Sequence, residues 1–110
     1  MGKNKAIKSI GRVIGNIVVH KITFKYTNNP ESRNHIFSEI GTYRDNALEI
    51  AQEFNWNEAD KQSIKEESVK EFNRRIKKYN DVQYPEKEVS ELIEETIKES
   101  FLHVGGAKYT

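Results

Sequence analysis

After Pro30, apolar side chains return at Ile36, Ile40, Tyr43, Ala47, Ile50 and Phe54, in alternating steps of four and three. That rhythm matches one stripe of an α-helix at about 3.6 residues per turn, whereas a strand changes face at every residue. It predicts a helix over 30–54, with Pro30 in the first turn, where its missing N–H costs nothing. Pro85 repeats the punctuation ahead of Val89, Ile93, Ile97 and Phe101, which predicts a helix over 86–102. Between them, Asn57 stands three residues before Asp60 as an N-cap would, opening a helix over 58–79 with the stripe Val69, Phe72, Ile76, Tyr79. Its charges are ordered along the macrodipole, Glu58 and Asp60 in the first turn and Arg74, Arg75, Lys77 and Lys78 in the last. Glu66 with Lys70, and Glu71 with Arg75, are favourable i,i+4 pairs.

Residues 5–26 allow two readings. Ile7, Ile10, Ile14 and Ile17 step by three and four, as on an amphipathic helix, with Val13 and Val18 widening the stripe. Gly11 and Gly15, each costing about 1 kcal/mol relative to Ala inside a helix, oppose it. From Val18 onward the pattern also alternates, as a strand or hairpin over 17–27 would. A lone hairpin is marginal in water, and the rest of the chain offers few strand-like segments. The expected fold is therefore all-α, a small bundle of three to four helices, with an α+β arrangement of three helices and an N-terminal strand as the alternative. The spacing Gly11-x-x-x-Gly15 suits close packing against another helix. It is too poor in glycine for a phosphate loop, and Arg12 argues against a membrane span.

A chain of 110 residues with 35% hydrophobic and 32% charged residues holds one thin core, read as a single domain over 1–103 followed by a flexible tail at 104–110. No cysteine is present, which removes thiolate chemistry and disulfides and fits a reducing compartment. The start of the chain is basic, but Gly15, Asn16, His20 and Lys21 break the apolar run that a signal peptide requires, so a cytoplasmic location is expected.

Catalysis finds little raw material. His20, His35 and His103 fall in no nucleophile or metal motif. Glu31, His35 and Glu39 share a helix face at i, i+4, i+8, as do Glu95, Glu99 and His103, yet the dimetal bundles use Glu-x-x-His three apart. Both sets read as solvated surface. No enzyme activity, cofactor or metal is expected. Trp56, beside Phe54 between two helices, reads as a plug at the end of the bundle.

The uneven feature is charge. Residues 1–27 carry Lys3, Lys5, Lys8, Arg12, Lys21 and Lys25 without one acid, while 28–110 hold 12 basic and 17 acidic residues. Lys3, Lys5, Lys8 and Arg12, with Arg74, Arg75, Lys77 and Lys78 as a second group, are the candidate contacts to nucleic-acid phosphates or another acidic partner. The bland alternative pairs the N-terminal cations with the chain's own acidic helix, where Glu86, Glu88, Glu91, Glu94, Glu95 and Glu99 lie. The expectation is a non-enzymatic helical binding protein, a protein-protein or self-associating module that forms a homodimer through the Ile7–Ile17 stripe. A nucleic-acid-associated accessory protein is the alternative.

Overall fold

The computed structural model describes residues 2–26, 41, 42, 45, 49–79 and 82–109, with the side chains of 100–109 excepted. The fold is all-α. Helix α1 spans Lys3–Tyr26, α2 Glu58–Ile76 and α3 Glu86–Tyr109. Residues 41, 42, 45 and 49–51 are helical too, inside the helix predicted over 30–54. Ile36, Ile40, Tyr43 and Ala47 of its stripe, and the Glu31, His35, Glu39 set, lie outside the described residues.

No strand occurs among the described residues, which corrects the α+β alternative: 17–26 are the second half of α1. The helix wins because its backbone groups are satisfied within the segment while its branched side chains find cover on every side. Ile14, Gly15, Asn16, Ile17, Val18, Val19 and His20 are all buried in succession. At about 1.5 Å per residue α1 is roughly 36 Å long, nearly the 41 Å long axis of the molecule. It is the central element, and the others pack around it.

Gly11 and Gly15 set how closely α2 approaches. A Cβ added at Gly11 would stand 2.4 Å from Glu67 Cβ, and one at Gly15 2.7 Å from both Glu71 Cβ and the Ser68 carbonyl oxygen. The close-packing reading of the two glycines holds. The face that α2 turns to α1 is therefore Ile64, Glu67, Ser68 and Glu71, and Ile64 and Ser68 are fully buried. Of the predicted stripe, Phe72 is buried and Ile76 and Tyr79 are half-buried, but Val69 faces out.

These contacts fix the topology. Lys3 meets Asp60, Gly11 meets Ile64 and Glu67, and Gly15 meets Ser68 and Glu71, so α1 and α2 run parallel. Tyr26 and Asn57 therefore stand at opposite ends of the α1–α2 pair. Lys25 and Tyr26 reach Glu88, Lys21 reaches Thr96, and Lys65 reaches Glu94, so α3 runs antiparallel to both. The core joins Ile7, Ile10, Ile14, Val18 and Ile22 of α1 to Ile64 and Phe72 of α2 and Ile93 and Ile97 of α3, with Ala51 from the helical residues 49–51 and Val82 from the connection between α2 and α3.

Helix ends follow local chemistry. Asn57 Oδ1 accepts from the Asp60 N–H at 2.8 Å and Asp60 Oδ2 accepts from the Asn57 N–H at 3.1 Å, a complete capping box. α2 stops at Ile76, short of the predicted 79, and Tyr84 then packs its ring edge against Phe72 at 5.5 Å ahead of Pro85. α3 starts where Pro85 predicts but continues through Gly105-Gly106 to Tyr109, beyond the predicted 102. Trp56 plugs the end of the bundle where α1 and α2 begin: its Nε1 donates to the Ala51 carbonyl at 2.8 Å, and Phe54 meets it edge-on at 5.7 Å.

Candidate functional site

The six cations of α1 divide between two sides of the helix. At about 100° per residue, Lys3, Lys21 and Lys25 fall on one side, while Lys5, Lys8 and Arg12 fall nearly opposite. The first set is spent inside the molecule. Lys3 Nζ lies 2.5 Å from Asp60 and over the Trp56 ring, 5.6 Å from its centroid. Lys21 donates to Thr96 Oγ1 at 3.0 Å and approaches Glu99 at 3.8 Å. Lys25 and the Tyr26 hydroxyl both donate to the Glu88 carboxylate. The pairing of N-terminal cations with the acidic last helix is thus real for Lys21 and Lys25.

The proton affinities move accordingly. Hydrogen bonding from Lys3, then from the Asn57 backbone, holds Asp60 below its ordinary value, and hydrogen bonds from Lys25 and Tyr26 do the same for Glu88. The Glu88 contact in turn raises Lys25 and Tyr26 above theirs.

Lys5, Lys8 and Arg12 form the second set, in steps of three and four on one exposed stripe, and make no ion pair among the described residues. Of the four N-terminal candidates, Lys3 therefore stands apart from Lys5, Lys8 and Arg12. The second candidate group divides too. Arg74 donates through Nε and Nη2 to Glu71 at 3.1 and 2.8 Å, and Arg75 Nε donates to the same carboxylate. Burial pushes Glu71 up, but the hydrogen bonds from Arg74 and Arg75 outweigh it and leave the carboxyl below its ordinary value. Lys77 and Lys78 are exposed beyond this triad.

Sequence reasoning missed that Glu71 is buried. Its signal is the spacing of Glu67 and Glu71, four apart like Gly11 and Gly15, with two arginines one turn later to neutralise a carboxylate whose stem lies against glycine.

The histidines supply no metal centre in the described residues. His20 is buried, with Nδ1 2.7 Å from the Asn16 carbonyl oxygen, and no grouping of three His, Asp or Glu able to hold a metal occurs among the described residues. No helix in the described residues is long and apolar enough to cross a membrane. Comparisons with protein-family models, with curated proteins and with solved structures return no match to this chain.

Proposed function

We propose that this chain is a non-enzymatic binding protein that contacts the phosphate backbone of nucleic acid through Lys5, Lys8 and Arg12. One observation carries the reading: α1 commits Lys3, Lys21 and Lys25 to partners inside the molecule and leaves the other three cations exposed in a row. Such a row displaces counterions from phosphates and gives salt-dependent affinity. It positions a backbone without reading bases, because it presents no Asn or Gln to a groove. A cytoplasmic setting suits it and accords with the cysteine-free composition.

The homodimer reading has less to stand on. Ile7, Ile10, Ile14 and Ile17 are buried within the single chain, and Val69, 38% exposed, is the large apolar side chain most open among the described residues. A second copy finds no uncovered stripe there, and sedimentation is expected to give a mass near 12.8 kDa.

The test is filter binding against salt concentration for the intact chain and for Lys5→Ala/Lys8→Ala/Arg12→Ala. The triple replacement is expected to weaken binding to every sequence alike and to flatten the log–log salt dependence by about 2–3 units, at roughly 0.9 per phosphate contact on duplex DNA. Affinity that ignores salt or the replacement overturns the reading, as does binding confined to acidic polypeptides.

A further inference from the structure

The two cationic groups, far apart in sequence, meet on one side of the molecule. Gly11 and Gly15 mark the side of α1 that faces α2, and Lys21 and Lys25 mark the side that reaches α3. Lys5, Lys8 and Arg12 lie around the helix on the other flank of the α2 contact, away from α3. On α2, Glu67 and Glu71 face α1, and Lys65, Phe72 and Ile76 turn towards α3 and the core. Lys70, Arg74 and Lys77 then fall on the flank away from α3, and all three are exposed.

Because α1 and α2 are parallel, with Gly11 level with Ile64 to Glu67 and Gly15 level with Ser68 to Glu71, the second row begins where the first stops. Lys70 stands about one turn beyond Arg12 along the common axis, and the six cations from Lys5 to Lys77 span roughly 25 Å at 1.5 Å per residue. Cations outnumber the anions on this flank: Glu66 is exposed one turn before Lys70, Glu67 lies 3.8 Å from Lys70, and Glu71 is buried and already held by Arg74 and Arg75. The exposed acids Glu91, Glu94 and Glu95 stand on α3, across the molecule.

We propose that Lys5, Lys8, Arg12, Lys70, Arg74 and Lys77 form one continuous diagonal surface across the α1–α2 pair, and that its ligand is double-stranded nucleic acid, taken by the backbone. The inference rests on the phosphate-binding reading and extends it. Two helices held at glycine contact make a rigid support. A duplex carries one charge per about 1.7 Å of its axis, so a straight cationic stripe of this length meets phosphates throughout. Single strands are commonly gripped by stacking bases on aromatic rings alongside a charged groove, and none of these six residues is aromatic.

Lys70→Ala/Lys77→Ala separates the two ideas, since both side chains are exposed and Arg74, which holds Glu71, is left in place. With a duplex of random sequence as probe, this variant is expected to lose about 2 units of log–log salt slope and Lys5→Ala/Lys8→Ala/Arg12→Ala about 3, each with an unchanged circular dichroism spectrum. An unlabelled single strand of equal length is expected to compete poorly. If the Lys70 and Lys77 replacements change nothing while the N-terminal replacements weaken binding, the continuous surface is overturned and the phosphate-binding reading stands. A single strand that binds more tightly than the duplex overturns the choice of ligand alone. Indifference to both variants overturns both proposals.

Discussion

Gly15 lies so close to Glu71 that a methyl group in place of its hydrogen would stand 2.7 Å from the Glu71 Cβ, with the Ser68 carbonyl oxygen equally near. Neither atom can swing aside as the end of a flexible side chain would. Gly15→Ala is therefore expected to force α1 and α2 apart and to destabilise the protein by about 1–3 kcal/mol. This outweighs the gain of about 1 kcal/mol that alanine gives within a helix. Gly11→Ala meets Glu67 Cβ at 2.4 Å and is expected to behave alike. A higher urea midpoint for either variant refutes the close contact.

Ile14 is fully buried at the centre of α1, within the cluster that joins α2 and α3. Ile14→Ala is expected to cost about 2–5 kcal/mol, a large part of the stability of a domain this small. Val69→Ala, at an exposed position, is expected to stay within about 0.5 kcal/mol. Equal losses in the two variants would contradict the assignment of the α2 faces.

Asn57→Ala removes the side-chain acceptor for the Asp60 N–H and leaves only the bond from the backbone N–H of residue 57 to the Asp60 carboxylate. A loss of about 1 kcal/mol is expected by urea denaturation, while Asn57→Asp or Asn57→Ser recovers most of it.

Stability is expected to fall at both ends of the pH range. Glu71, Asp60 and Glu88 have folded values below their ordinary ones, so their contribution is full above the unfolded carboxylate range near 4 and is lost as pH drops through the folded values. Lys25 and Tyr26 have raised values, so theirs is full below about 10 and is lost as pH climbs through the folded values. Glu88→Gln removes the carboxylate that raises both, and its urea midpoint is expected to decline less steeply above pH 10 than that of the parent. An unchanged alkaline decline would place its origin elsewhere.

Periodicity is enough to find α2 and α3, whereas for α1 it leaves a strand open and only the scarcity of other strand-like segments favours the helix; the Asn57 cap is legible because its partner is three residues away. The inner face of α2 was not. A reading by apolarity favours Val69 over Ser68 and Glu71, whereas packing against Gly11 and Gly15 selects a small side chain and a carboxylate stem. The site shows the same division. The excess of cations at the start of the chain is visible in composition, but which ones remain exposed depends on Asp60, Glu88 and Thr96, all distant in sequence. Likewise, Lys5 to Arg12 and Lys70 to Lys77 become neighbours only once the two helices are known to be parallel.

The parallel arrangement of α1 and α2 also bears on how the protein is made. Tyr26 completes α1 fifty residues before Ile76 completes α2, and α3 follows later still. At roughly 5–20 residues per second of synthesis, the isoleucine-rich α1 emerges from the ribosome several seconds before the side chains that bury it exist. Closing it against α2 also means joining points more than fifty residues apart, whereas α2 and α3 are separated by a short connection and can pair locally. Of the three helices the central one is thus translated before the other two, and it can find its place only once they are made. Until it does, Ile7, Ile10, Ile14 and Ile17 are open to chaperones and to one another on neighbouring nascent chains.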